Sequence, residues 1–387
     1  MAKGKLNIVL SGMIAGDPHQ GGATWAVLQY LLGLRRLGHD VLFVEPLQDK
    51  ALIPAGASLE ASGNAQYFLE VIERFHLTGT AALLRVGTRE TVGLPYEHLR
   101  EFIRRADVLI NISGMLADEE LISRIPIRVY LDLDPAFVQM WHAVQGIDMR
   151  LAAHTHFVTI GQAIGQPECT VPTCGLTWIP TFQPIVLEHW PVAETINHDG
   201  FTTIGNWRGY GSIEHEGIFY GQKAHSLRPL FSLPRRTREK FLLAMAIDPG
   251  ESKDLAALSE NGWLLADPRA VAGTPDSYQR FIQGSKAEFG LAKSGYVASR
   301  CGWFSDRSLC YLASGRPVLA QDTGFSRFVP AGEGLLSFTT IDDVLAGIEA
   351  LNANYARHSR AARALAEDYF DSDNVLTRLL RQVGVPS

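Results

Sequence analysis

Short apolar runs rich in β-branched residues alternate with helix-length stretches along most of this chain, and that alternation restricts the fold more than any other feature. A run of five to eight apolar residues reads as a strand buried on both faces. A strand, a helix and a second strand in succession make a parallel βαβ unit. The first unit is complete: a strand over 6–12 (LNIVLSG), a glycine-rich loop, a helix from about Thr24 to Leu37 ended by Gly38, and a strand over 39–46. Further strands are expected over 107–112, 128–133 and 156–160, with helices near 63–75 and 96–105. The stretch 166–200 breaks the pattern, because it carries five prolines with Cys169 and Cys174 and little periodicity. It reads as an irregular connector.

A second series follows. Strands are expected over 201–207, 240–247, 315–322 and, briefly, 288–291, with a strand end and turn over 262–268. Helical stretches are expected over 219–232, 251–260 and 276–285, from about Ser305, and from about Ile341. The expected fold class is α/β, with two Rossmann-like domains facing across a cleft: residues 1–190 and 198–365, with 366–387 as a C-terminal helix crossing back. At 387 residues and 46% hydrophobic content the chain can fill two such cores. Ligands of these sheets bind beyond the carboxyl ends of the strands, so the loops after strands matter most.

Charge and cysteine usage narrow the function classes. A net charge of −6 argues against a protein that coats nucleic acid, which needs a dense basic surface. No segment approaches the ~18 apolar residues of a membrane span, and the apolar stretch near the N-terminus is too short for a secretion signal. Four cysteines without C-x-x-C spacing fit a reduced, cytoplasmic chain.

The strongest local signal is the run 292–325, AKSGYVASRCGWFSDRSLCYLASGRPVLAQDTGF. Gly302 permits close backbone approach to a ligand, and Ser305 stands at a helix N-terminus that favours negative charge. Lys293, Arg300 and Arg307 add cations suited to a diphosphate. After the helix, Gly315-Arg316-Pro317-Val318 turns into a strand that ends at Gln321-Asp322. A helix cap and a turn explain each residue singly; the combination points to a ligand site. A second glycine cluster, 205–211, holds Arg208 and Gly209 after a strand and suits phosphate approach. Lys223 reads as a solvated helix lysine.

The run 301–322 resembles the donor-binding segment of nucleotide-sugar-dependent glycosyltransferases of the GT-B fold, through Cys301-Gly302-Trp303-Phe304-Ser305, Gly315-Arg316-Pro317-Val318 and Gln321-Asp322. Gly262-Trp263 with Asp267-Pro268 resembles their tryptophan-led turn that cradles the nucleobase. Gly21-Gly22 resembles the glycine pair that faces the donor phosphates. There are departures: Arg300 replaces a histidine, and the spacing from Gly302 to Gly315 is longer by two. Gly302 and Cys310 occupy the positions of the E-x7-E glutamates, which leaves the ribose contact unassigned. The resemblance implies a glycosyltransferase moving a sugar from a nucleotide-diphosphate donor, a UDP-sugar first among them, to an unidentified acceptor. It implies no cofactor and no metal, since Asp132-Leu133-Asp134 lies far along the chain from the donor motif. It places an acceptor-activating histidine, His19, in the loop after the first strand, with Asp132 or Asp134 as orienting carboxylate, and favours inversion. A nucleotide-sugar 2-epimerase and a non-catalytic sugar-nucleotide-binding subunit are the alternatives.

Overall fold

The computed structural model describes residues 4–385, whose strands form two parallel sheets with no strand in common, besides one short hairpin. The first sheet contains β1 (Asn7–Ser11), β2 (Asp40–Leu47), β3 (Ala81–Arg85), β4 (Thr91–Gly93), β5 (Val108–Ile112), β6 (Ile127–Asp132), β7 (His156–Thr159) and β8 (Trp178–Pro180). Their order is β4-β3-β2-β1-β5-β6-β7-β8, antiparallel only between β3 and β4. The helices are α1 (Gly21–Arg36), α2 (Gly63–Arg74), α3 (Tyr96–Ile103), α4 (Glu119–Ile122) and α5 (Phe137–Ala143). β1 is central, and Ile8, Val9 and Leu10 are fully buried, as a strand covered on both faces requires.

The second half contains β9 (His198–Asn206), β10 (Ile213–His215), β11 (Ile218–Tyr220), β12 (Phe241–Ala246), β13 (Leu264–Leu265), β14 (Ser285–Gly290), β15 (Val318–Gln321) and β16 (Leu335–Phe338). Six of these form a parallel sheet in the order β13-β12-β9-β14-β15-β16, and β10 and β11 make a separate hairpin. Its helices are α6 (Lys223–Leu227), α7 (Ser252–Glu260), α8 (Pro268–Ala272), α9 (Pro275–Gln283), α10 (Ser294–Ser299), α11 (Asp306–Ala313), α12 (Ile341–Ala353), α13 (Tyr355–Leu365) and α14 (Ser372–Gln382). Two differences from the sequence reading stand out. The stretch 166–200 is not wholly irregular, because β8 within it completes the first sheet by pairing with β7. The helical stretch expected over 219–232 opens instead with β11, and α6 starts only at Lys223.

The halves meet along a seam beside α1. Trp25 is 2% exposed, donates its indole N–H to the carbonyl of Pro275 at 2.9 Å and packs on Trp190. A Cβ placed on Gly21 would lie 2.3 Å from the Thr274 carbonyl oxygen and 2.6 Å from that of Ala272. α14 lies on the same helix: a Cβ on Gly33 would come within 2.5 Å of Leu376, and Arg36 pairs with Asp373 at 3.0 Å. One apolar core therefore runs through both halves, with Trp190, Tyr278, Phe304 and Phe370 among its members.

Backbone carbonyls cannot rotate aside as a side chain can, so Gly21→Ala is expected to destabilise by about 1–3 kcal/mol. Gly209→Ala, with nothing within 4 Å, is expected to stay within about 0.5 kcal/mol of the parent. Denaturant unfolding of the two variants checks the pair, and equal stabilities would contradict this packing.

Candidate functional site

The carboxyl ends of β9 and β14 and the starts of α6, α10 and α11 converge on a cluster of cations. Arg307, in the first turn of α11, is 6% exposed. Its Nε donates to Glu288 Oε1 of β14 at 2.6 Å and its Nη1 to the Ile204 carbonyl of β9 at 2.8 Å. Its Nη2 and Glu288 Oε2 are buried without partners, as are Gln222 Nε2 and Ser294 Oγ close by. Native interiors leave few such groups, and each one calls for a cause. Lys223 stands among them. Gly205 makes room for it, since a Cβ there would lie 2.5 Å from its Nζ. Among the described residues its ammonium has neither hydrogen bond nor ion pair. Enclosure by protein, then repulsion from Arg307 and Lys293, pushes it down to about 7. Burial raises the carboxyl of Asp306 beside it.

Lys293 occupies the N-cap of α10 and is tied to the first half. Its Nζ donates to both oxygens of Asp134 at 2.9 Å, beyond the end of β6. Tyr210 donates to Asp134 Oδ2 at 2.5 Å, and Tyr296 donates to Oδ1. The ammonium lies 4.3 Å from the Tyr210 ring centroid and 5.0 Å from that of Phe137. Cation–π attraction and one carboxylate thus hold an enclosed charge where the halves meet. Burial still pushes Lys293 below the usual lysine range.

Several expected site residues have other work. Asp132 is fully buried and accepts from Gln139 and Thr159 at 2.8 Å each, and burial pushes it up to about 6. Neither Asp132 nor Asp134 therefore orients His19, because their carboxylates are committed elsewhere. His19 is exposed, sits at φ 67° and faces the Tyr67 ring edge-on at 5.1 Å. On the side a Cβ would occupy, Gly21 and Gly22 face the Thr274 carbonyl and the Tyr278 ring. Trp263 is a core residue packed on Phe241 and Phe289, its N–H donated to the Phe231 carbonyl at 2.8 Å, so it offers no face to a base. Asp267 caps α8, and Asp322 accepts from Gly324 and Ser326 in a turn. Gly302, at φ 75°, lies against Gln162 and Ala163 of the first half. Arg300 is exposed and its charge acts on Glu168. Trp303 stacks on Tyr296 at 4.6 Å, Ser305 is the buried N-cap of α11, and Gln321 accepts from the Ala292 N–H at 3.4 Å.

From the expected set, the fold therefore brings Lys293 and Arg307 together, with Arg208 and Gly209 at the rim. The Gly209 N–H meets Gln222 Oε1 at 3.4 Å, and Arg208 is ion-paired with Glu251 and 3.4 Å from His225. The sequence sets Lys223 aside as a solvated helix lysine, and it gives no sign of Glu45. Glu45 of β2 is fully buried, and its oxygens accept the N–H groups of Ile14, Ala15 and Gly16 at 2.6–3.0 Å. Burial pushes its carboxyl up to about 7 against those bonds.

Removing one partner of an enclosed ion pair strands the other charge. Asp134→Ala is expected to cost about 3 kcal/mol, the low end for a buried pair, because its side chains are 18% and 23% exposed. Adding Lys293→Met should restore much of that loss. A denaturation double-mutant cycle decides; additive effects would mean the pair does not join the halves.

No protein-family model matches the chain, and no curated protein matches it in sequence. Solved structures do match it throughout. An alpha-glucosyltransferase in complex with UDP-glucose and DNA containing an abasic site superposes with a TM-score of 0.59 at 12% identity, covering 98% of this chain and 100% of that one. Anabaena Alr3699/HepE in complex with UDP and glucose gives 0.60 at 12% identity, with 97% and 99% covered. A glycosyltransferase from Rickettsia africae gives 0.54 at 10% identity, with 98% of each chain covered. No helix among the described residues is long and apolar enough to cross a membrane. The architecture implied by the run 301–322 is the one found: this chain has the GT-B fold of nucleotide-sugar glycosyltransferases.

Proposed function

We propose that the protein is a glycosyltransferase that draws its sugar from a nucleotide-diphosphate donor, UDP-glucose or a close relative, held by the second half. The observation that carries this reading is Lys223: a half-buried lysine that makes no ion pair among the described residues, beside Arg307 and Lys293, at the carboxyl edge of a parallel sheet. Such a group is costly to keep unless an anion completes it. A diphosphate supplies that anion, and structures of the same fold were solved with UDP or UDP-glucose.

In the reaction the acceptor oxygen bonds to the sugar C1 while the bond from C1 to the diphosphate oxygen breaks. The electron pair leaves on the diphosphate, which Lys223, Arg307 and Lys293 stabilise as its charge grows. These cations do the work that a bound metal does elsewhere, so transfer is expected to survive a chelator. The first half, residues 1–190, is assigned to the acceptor and residues 198–365 to the donor, with 366–387 returning to α1. His19 is assigned as the base that takes the acceptor proton with inversion at C1. What supports this is its place in the loop after β1, exposed and bound to no carboxylate.

Two tests follow from these roles. Lys223, with its pKa near 7, is largely neutral at pH 8 and charged at pH 6. A bound diphosphate raises that pKa, so UDP-glucose binding takes up close to one proton at pH 8 and little at pH 6. Lys223→Met should abolish the uptake and weaken binding by about 1.5–3 kcal/mol, roughly 10- to 150-fold. Calorimetry in buffers of different ionisation heat reads both, and unchanged affinity would put the donor elsewhere. His19→Ala should bind UDP-glucose normally yet turn over ~10²–10⁴-fold more slowly. Near-parental turnover, or a product of retained configuration by NMR, would remove the assignment.

A further inference from the structure

His225 stands at the rim of the cation cluster, and its hydrogen bonds leave one ring nitrogen with a proton and nothing to give it to. Gln222 and His225 cap α6 reciprocally. The Gln222 side chain accepts the backbone N–H of His225, and the His225 ring accepts the backbone N–H of Gln222 at Nδ1, 2.9 Å away. An Nδ1 that accepts carries no proton, so the neutral ring bears its hydrogen on Nε2. The other tautomer would set two N–H groups against each other at 2.9 Å. Burial, then repulsion from Arg208 and Arg228, holds the ring below the usual histidine range, and Asp254 offsets them only in part.

What Nε2 meets is a second donor. Arg208 gives its Nε to Glu251 and turns Nη1 towards the ring, 3.4 Å from Nε2. Among the described residues no oxygen accepts from Nε2. Two N–H groups side by side without an acceptor call for a cause, and a ligand atom supplies one. Arg208 is exposed and His225 half-buried, so a ligand can reach both. A phosphate oxygen suits the place, because it takes several hydrogen bonds at once and its charge strengthens each.

The ring also belongs to the cluster described above. A Cβ on Gly221 would lie 2.5 Å from Ser294 Oγ and 2.7 Å from His225 Nδ1. The unpartnered hydroxyl next to Lys293 and the imidazole thus share the space of one missing side chain. Gln222 Oε1 takes the Gly209 N–H at 3.4 Å, which brings the loop of Arg208 to the same cap. Lys223 lies in the chain between the two capping residues.

We propose that His225 binds the sugar donor: its Nε2–H and the Nη1 of Arg208 together hold one oxygen of the diphosphate whose charge Lys223, Arg307 and Lys293 balance. This rests on the transfer proposed above and adds to it a residue of another kind. The lysines act as point charges. The imidazole adds no charge, but its single N–H, aimed by the cap, sets where one oxygen must sit.

Two measurements on the full chain test this. Long-range proton–nitrogen NMR with isotope-labelled histidine, the His225 signals identified by their loss in His225→Asn, should show the Nε2–H tautomer in the free protein. That proton should move downfield on saturation with UDP-glucose. An Nδ1–H tautomer, or a proton unmoved while UDP-glucose is bound, overturns the proposal. His225→Asn keeps an oxygen that can accept the Gln222 N–H but has no atom at the ε position. By calorimetry it should bind UDP-glucose roughly tenfold or more weakly, the worth of one hydrogen bond to a charged group, with its denaturation midpoint unchanged. Parental affinity in that variant overturns the proposal as well; should the variant unfold early, the NMR result on the parent decides. Loss of the donor reading has a different signature. UDP-glucose then binds neither protein while inorganic pyrophosphate still moves the His225 proton, so the ring and Arg208 keep an anion contact that serves no transfer.

Discussion

One carboxylate joins the halves of this molecule where their chemistry would meet. Asp134 leaves the end of β6 and receives Lys293, Tyr210 and Tyr296 from the other half. The enclosed ammonium needs a counter-charge, and the aromatic rings around it exclude the water that would otherwise supply one. The carboxylate and the lysine therefore fix each other, and through them the end of β6 is set against the start of α10. Lys293 also repels Lys223, so the bridge sets the local charge as well. With Asp134 committed to one cation and Glu288 to another, Lys223 is left with no ion pair of its own and only the Asp306 carboxyl nearby.

The second half illustrates how a packed framework can raise a binding site. Arg307 spans Glu288 and the Ile204 carbonyl, so a single guanidinium ties α11, β14 and β9 together. A residue so used cannot swing out to a ligand, but it presents an unpartnered NH2 group and a full charge in a fixed place. Fixed charges need no reorganisation when a ligand's own charge grows, which is the condition for electrostatic stabilisation of a leaving diphosphate.

The sheets were largely legible in the sequence, and the site was not. Strands such as β1, β2 and β5 are continuous apolar runs, and burial on both faces leaves them no other reading. β8 escaped because three residues among prolines carry no period. At the site, glycines and tryptophans mark close approach without saying to what. Gly21 meets the Thr274 carbonyl, Gly302 meets Ala163, and Trp263 fills the core of the second half, each a contact of protein with protein. Lys223 looked like a surface lysine because it falls within a stretch, 219–232, that reads as one helix. Its enclosure comes from Gly205, Arg307 and Lys293, all distant in sequence. The one local hint was Gly221, whose missing side chain lets Ser294 and His225 close in beside it.

The hold of Glu45 on the loop after β1 has a mechanical consequence. Three successive backbone N–H groups share one acceptor, so residues 14–16 cannot loosen one at a time; they are gripped together or released together. The same short segment leads on, through Asp17 and Pro18, to His19. A displacement of residues 14–16 therefore moves the start of the His19 loop as one piece. The stiffness of the loop resides in a strand beneath it, and its tip inherits a precision that its own glycine-rich sequence would not provide.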